Sequence, residues 1–305
     1  MILSILTLHL LLPLFFVLRM WRGAHAGRMR WSVTLFAGGS FLAFAIVSGA
    51  WAWVGYPLRL LWPLLFLGAA VLSWRRVGSA PQGTPRPAVM RVEYGIEALL
   101  GSLFLALALV GLRGYAPDAA GIDLKFPLAD GVYVVGQGGN SPMINGHQAS
   151  RAQRHALDIV KLNGLWMRAW GLYPGEPERY AIFGDKVLSP CSGTVVDSRD
   201  GLPDQSPPVR DAENLAGNYV AIECRGAVVL LAHFKRGSLK VGAQDRVEAG
   251  QPLAQVGNTG NTSEPHLHIH AEPLPYEGLR STKAGLPMRF GGRYLVRNSV
   301  VVSRG

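Results

Sequence analysis

Pro265-His266-Leu267-His268-Ile269-His270 alternates imidazoles with apolar side chains. On a β-strand successive side chains point to opposite faces, so the three imidazoles share one face and Leu267 and Ile269 share the other. A half-buried strand that merely uses histidine on its wet face seldom does so at three alternate positions. Such a face is better read as a metal or proton-transfer site. A zinc centre with catalytic capacity needs three protein ligands and one open position. One strand supplies one or two of them, so the others come from distant parts of the chain.

Two distant positions stand out. Asp158 interrupts the apolar run Ala156-Leu157-Asp158-Ile159-Val160, where a carboxylate is costly unless it is paired or metal-bound. His233 closes the apolar run Val228–Ala232, which is continuous enough for a strand buried on both faces.

Around these positions the chain from about Ile122 onward consists of short runs rich in Val, Ile and Tyr, separated by Gly, Pro and Asn. Gly131–Val135, Gly193–Val196, Tyr219–Glu223, Val228–Ala232 and Leu267–Ala271 read as strands. Arg151–Lys161 is the nearest approach to an amphipathic helix. The reading is a mostly antiparallel β domain over 113–305, long enough for one core. Asp200–Asn214, polar and proline-rich, is expected to be a surface excursion, and the tail from Arg289 to add an edge strand.

The N-terminal part differs. The chain has 305 residues, 49% hydrophobic and only 16% charged, against about 25% charged for soluble domains. Residues 1–112 hold nine arginines, no lysine, and only Glu93 and Glu97 as acids. Four apolar stretches, about 1–18, 31–54, 58–74 and 94–112, read as transmembrane helices, since a bilayer core needs about 17–25 apolar residues. The third is the shortest and contains Arg59 and Pro63. Residues 1–18 lack a positive n-region, which favours a retained span over a cleaved signal, with His9 and Pro13 as helix-packing residues. Arg19, Arg22, Arg28 and Arg30 fill the first connection, and Arg75, Arg76, Arg86 and Arg91 the third. Both are therefore assigned to the cytoplasm, Ser79–Ala88 being a cytoplasmic loop. The C-terminal domain then lies outside, and the lipid bilayer is one partner. The basic excess flanks apolar segments and forms no clustered patch, so no nucleic acid is expected. The spans lack acidic residues and paired charges, which argues against a transport or signalling role of their own.

A resemblance emerges from several segments together. Gly250-Gln251-Pro252-Leu253-Ala254-Gln255-Val256-Gly257-Asn258-Thr259-Gly260, followed by Glu264-Pro265-His266-Leu267-His268, resembles the end of the LytM/lysostaphin-type zinc peptidase domain. Leu231-Ala232-His233-Phe234 is similar to that family's Tyr-Ala-His-Leu segment, and Gly184–Val196 to the hairpin before its active-site strands. The match runs in order over about 152–271. The resemblance implies a lysostaphin-like β fold with a duplicated hybrid motif. It also implies one Zn2+ per domain, peptidoglycan peptides as substrate, and the bacterial inner membrane, with the domain on the periplasmic side.

By the same resemblance Asp158 and His268 would be metal ligands, and His233 and His266 would orient the attacking water and the developing oxyanion. The family's first ligand, a histidine four residues before the aspartate, is here Arg154. His155 is adjacent but of the wrong parity for the same strand face. His147, in Asn145-Gly146-His147-Gln148, is the preferred metal ligand, with His155 the alternative. The family often carries an acid where His270 stands; His270 reads as an outer partner beside Glu272, or as exposed. Cys191 and Cys224, the only cysteines, are expected to form a disulfide in that compartment, with a zinc-bound pair or two buried thiols as the alternatives. The functional expectation is a membrane-anchored zinc metalloendopeptidase acting on peptidoglycan stems or cross-bridges. A catalytically silent binding or regulatory module acting on cell-wall enzymes is the competing class.

Overall fold

The computed structural model describes residues 1–23, 27–77 and 87–304. The chain divides into two compact units, Met1–Leu112 and Arg113–Gly305.

The first unit is helical: α1 (Ile2–Arg22), α2 (Arg28–Ser48), α3 (Leu58–Trp74) and α4 (Pro87–Arg113). Three of these, rather than the four expected, are long and apolar enough to cross a bilayer. The exception is α3, whose 17 residues begin after Pro57 and end in the turn at Arg75. Its ends nevertheless meet the ends of α2. Arg59 Nε donates to the Ile46 carbonyl (3.0 Å), and Ser73 Oγ accepts from Trp31 Nε1 (3.1 Å). The helices pack through Phe16, Met20, Phe41, Phe66, Ala69 and Ala70. Most of the Ser79–Ala88 loop, with Arg86, lies outside the described residues; Pro87 and Ala88 open α4.

A π-helical turn at Thr7–Leu11 breaks α1 and turns His9 inward. His9 Nδ1 donates to the Ile5 carbonyl (2.9 Å), and Nε2 accepts from the Ala50 amide (2.8 Å). Both nitrogens thus serve helix packing. The expected lack of acidic residues and of paired charges is corrected: Glu97 lies within the fourth apolar stretch, Arg19 pairs with Glu93 (2.7 Å) and with Glu97, and Arg30 reaches Glu93 (3.1 Å). Charges among apolar helices are tolerated when they are paired, and sequence separation hid the partners.

The second unit is built on one eight-stranded sheet. Its strands are β2 (Gly131–Gln137), β3 (Leu157–Lys161), β5 (Gly193–Arg199), β6 (Tyr219–Cys224), β7 (Ala227–Ala232), β8 (Arg246–Val247), β10 (Leu267–Pro273) and β13 (Val300–Ser303). The spatial order is β13-β2-β3-β10-β7-β6-β5-β8, with every pairing antiparallel. β4 (Lys186–Leu188) pairs with β9 (Pro252–Gln255). β1 (Ile122–Leu124), β11 (Met288–Phe290) and β12 (Arg293–Tyr294) form a third small sheet, where β1–β11 is the parallel pair. The duplicated motif implied by the resemblance is not seen: the large sheet is one continuous ladder, and the two small sheets differ in strand number and pairing.

Arg151–Lys161 forms a turn followed by β3, not a helix. The tail supplies edge strand β13, and Asp200–Asn214 runs as an irregular excursion. All six residues of β7 are buried. One face of the sheet packs Leu157, Ile159, Val229, Leu231, Leu267 and Ile269 into the main core. The alternate residues of β3 and β10 consequently face the other way, among them Asp158, His268, His270 and Glu272.

Candidate metal centre

The site begins with strand register. His268 of β10 lies opposite Asp158 on one side and opposite Ala232 on the other. Opposite residues in a ladder share a face, so one surface collects Asp158 and His268. His233, one residue past Ala232, has the opposite parity, and its left-handed backbone (φ 68°) accompanies a ring that lies 5.8 Å from the His268 ring. Sheet order and this one backbone turn bring together three residues that are far apart in sequence.

His147 enters from outside the ladder. It sits in a short 3-10 turn, Gly146–Ala149, between β2 and β3. Buried Asn145 fixes that turn: its Oδ1 accepts from the His147 amide (3.1 Å), and its Nδ2 donates to the carbonyls of Gly139, Arg154 and Ala156 (2.9, 3.1 and 3.2 Å). Gln137, next to a bulge in β2, accepts from the Gly146 amide (3.1 Å).

The result is a tight donor cluster. His147 Nε2 lies 3.0 Å from each Asp158 carboxylate oxygen, and His268 Nδ1 lies 3.0 Å from Asp158 Oδ1. Ligand atoms of His147, Asp158 and His268 fall within 4.8 Å of one another. Zinc bonds of about 2.0–2.2 Å in a tetrahedron separate ligand atoms by about 3.3–3.6 Å, close to the 3.0 Å contacts of both imidazoles with Asp158. Two imidazoles and a carboxylate are also a donor set that zinc accepts with one position left open. The residues fit the metal.

Two further imidazoles border the cluster. His233 Nδ1 donates to the Thr259 carbonyl (2.8 Å), and His266 Nδ1 donates to the Glu264 carbonyl (2.8 Å). A carbonyl only accepts, so each ring carries its proton on Nδ1 and turns Nε2 towards the site. His266 Nε2 lies 3.4 Å from Asp158 Oδ1, and the His233 and His266 rings are 4.8 Å apart. His233 occupies this place with a φ of 68°, a conformation costly for a non-glycine residue. The Thr259 carbonyl that holds it packs where Gly217 has no side chain. A Cβ at Gly217 would come within 2.2 Å of that oxygen.

Protonation follows these surroundings. Burial holds the His268 imidazole down to about 3, the neutral form that a metal ligand requires. Burial, reinforced by His266 and His268, keeps His233 well below its usual range. At His266 and at His147 burial acts in the same direction and is the largest single influence, but the charge and hydrogen bond of Asp158, with Glu264 at His266 and Gln153 at His147, together outweigh it and raise both. At Asp158 burial opposes ionisation, yet His147 and His266 hold the carboxyl well below the usual range.

His155 does not join the cluster. It is buried on the far side of its strand entry, with Nδ1 3.0 Å from the Tyr294 hydroxyl and Nε2 3.1 Å from Asp118. Arg154, at the family's ligand position, also turns to Asp118 (2.8 Å). Three other contributors escaped the sequence reading. Buried Arg168 binds Glu264 through Nε (2.9 Å to each oxygen) and Nη2 (2.7 Å), steadying the residue whose carbonyl holds His266. Thr262 Oγ1 donates to that same carbonyl (2.7 Å). Arg297, brought down to about 10 by burial, feels the Asp158 charge and donates from Nε to the Ile144 carbonyl (3.1 Å), beside the His147 turn. None of the three lies in the motif segments 250–260 and 264–268, whereas Glu264, the partner of Arg168, does.

No curated protein matches the chain. Among solved structures, the antimicrobial peptidase lysostaphin from Staphylococcus simulans is 22% identical over 38% of this chain and 45% of its own, with a TM-score of 0.25. A zinc-containing peptidase from Vibrio cholerae is 20% identical over 38% of this chain and 46% of its own, with a TM-score of 0.24. The M23 metalloprotease pseudoalterin, from the deep sea, is 14% identical over 60% of this chain and 99% of its own, with a TM-score of 0.35. The chain thus spans less than half the length of the lysostaphin and Vibrio cholerae structures. Over residues 179–275, which carry His233, His266 and His268 and stop short of His147 and Asp158, the chain matches Peptidase family M23.

Proposed function

We propose that the second unit is a zinc-dependent endopeptidase domain, held at a membrane by the first unit and acting on the peptide part of peptidoglycan. The observation that carries this reading is the convergence of His147 Nε2, Asp158 and His268 Nδ1, with two carbonyl-anchored imidazoles beside them. His147, Asp158 and His268 would hold the ion. When bound, zinc polarises a carbonyl and lowers the pKa of water to about 7. The chain's own residues do the rest. His233 Nε2, deprotonated, can accept a proton from an attacking water. His266 Nε2 can hold a proton beside the developing oxyanion and deliver it to the leaving amine. Such transfers contribute about 10²–10⁴ in rate. Partial exposure of His147, Asp158 and His266 leaves the site open to an extended chain. The substrate class, stems or cross-bridges, comes from the family resemblance.

Arginine distribution supports a location of the unit outside the cytoplasm. Arg76 lies over the Trp21 ring (4.5 Å) and Arg28 over Trp74 (6.0 Å). The Arg75–Arg76 end of α3 therefore sits level with the first arginine-rich connection. We read α3 as the segment that returns the chain to that side, its 17 residues being at the lower limit for a span.

The test is turnover on purified wall peptides by the full chain in detergent. Cleavage that a chelator abolishes and zinc restores is the expected result. Stoichiometric zinc without cleavage would make the binding-module reading the better one.

A further inference from the structure

The sheet face that carries His268 continues past it. His268 Nε2 lies 2.9 Å from His270 Nδ1, and His270 Nε2 lies 3.0 Å from Glu272 Oε1. All three side chains are buried, on alternate positions of β10. We propose that His270 and Glu272 are positioning residues that fix the ring orientation and tautomer of His268 as a metal ligand, a two-step relay from carboxylate to ligand imidazole. This inference rests on the metal reading above.

The proton assignment follows from donor and acceptor roles. An ionised carboxylate only accepts, so His270 carries a proton on Nε2 and gives it to Glu272. A metal on His268 Nδ1 takes that nitrogen's lone pair, so the His268 proton is on Nε2. His270 Nδ1 is left as the acceptor for it. Each nitrogen of both rings then has one role, and neither ring can flip without losing a buried hydrogen bond. Metal-bound imidazoles commonly give their second N–H to a carboxylate or carbonyl, and loss of such a partner costs 10–100-fold in metal affinity. The family often has an acid at the position of His270. Here the carboxylate stands two residues farther along the strand, and an imidazole spans the gap. Burial opposes ionisation of Glu272, but the hydrogen bond from His270, with Ser281 and Lys283 from the loop beyond β10, holds its carboxyl below the usual range.

Two matched variants of the full chain test this by zinc affinity, measured against a competing chelator in detergent. Glu272→Gln is common to both, so that no second buried carboxylate complicates the comparison. His270→Glu/Glu272→Gln puts a carboxylate directly behind His268 and is expected to bind zinc within a few-fold of wild type. His270→Leu/Glu272→Gln fills the space without an acceptor and is expected to bind 10–100-fold more weakly. A purely space-filling role predicts the reverse order, because leucine packs in a buried site better than a charge. Equal affinities for the two variants, or a leucine variant that binds as well as wild type, would overturn the relay. A wild type that binds no zinc would overturn the metal reading itself, a result distinguishable from failure of the relay alone.

Discussion

His268 faces Asp158 directly across the β3–β10 ladder, and its Nδ1 lies 3.0 Å from Asp158 Oδ1. Strand register alone thus joins two proposed metal ligands that are 110 residues apart. A one-residue slip of β10 would exchange His268 for Leu267 or Ile269 and move every imidazole to the core side. The buried apolar face of β10 therefore protects the geometry of the polar one.

From this relationship the cluster should divide into two kinds of residue. His147→Ala, Asp158→Ala and His268→Ala each leave two protein ligands, and zinc content and turnover should fall together. His233→Ala and His266→Ala should keep near-stoichiometric zinc and lose about 10²–10⁴ in rate. His155→Ala should keep its metal, because its ring turns to Tyr294 and Asp118. Metal analysis of the six purified variants decides. Loss of zinc from the His155 variant, with retention in the His147 variant, would reverse the ligand assignment.

The buried His155 also gives a pH signature. Burial depresses its folded-state pKa below 6.5, against a partial upward pull from Asp118. Below pH 6.5 the unfolded chain then binds more protons than the folded one, so stability falls as pH falls. The contribution is complete above 6.5 and is lost towards the depressed folded value. His155→Gln should remove that part of the slope. Thermal melts of wild type and variant from pH 5 to 8 give the comparison. Parallel curves across this window would show that His155 does not titrate differently on folding.

What could be read from sequence was what local period controls. The alternation at His266–His270 and the apolar run of β7 declared strands and faces by their own pattern, and Asp158 stood out as a charge within an apolar run. The rest depends on contacts between distant segments. His147 reaches Asp158 because a bulge in β2 and the Asn145 side chain shape a turn, and neither has a periodic signature. Arg168 and Glu264 are 96 residues apart, and Arg19 and Glu93 are 74 apart. Each looked like an ordinary charge until the fold supplied its partner. The short helix α3 was visible by composition, but the hydrogen bonds that tie its two ends to those of α2 were not.

Cys191 and Cys224 are bonded in the structure, with Cα atoms 6.1 Å apart, inside the range that disulfides adopt. The bond ties the entry of β5 to the end of β6 and closes a loop with a separation of 33 residues. The chain-entropy model assigns such a loop about 3–4 kcal/mol. Cys191→Ser/Cys224→Ser should lower the melting temperature of the β unit by on the order of 10 °C. Peptide mapping without reductant should recover the linked pair. Two alkylatable thiols in the native oxidised protein would rule the bond out.

Membrane orientation can be tested separately from chemistry. Reporter fusions after Arg30 and Arg76 should both give a cytoplasmic signal, and one after Asp118 an external signal. A cytoplasmic reporter at Asp118 would remove the β unit from the wall, whatever its catalytic competence. An external reporter at Arg76 would show that α3 does not return the chain.

The Arg168–Glu264 pair predicts a coupled loss of stability and rate. Arg168 is 2% exposed and holds both Glu264 oxygens, while the Glu264 carbonyl holds His266. Removing one partner of a buried ion pair costs about 3–5 kcal/mol, because the other charge is left stranded. Arg168→Met should therefore destabilise the β unit and slow turnover by loosening His266, with zinc content kept. Replacing both partners, as Arg168→Met/Glu264→Gln, removes the stranded charge and should recover part of the stability. It should not restore an ordered His266, so the rate should stay low. A double-mutant cycle separates the two effects. If Arg168→Met melts like wild type and turns over at the same rate, the pair neither supports the fold nor positions His266.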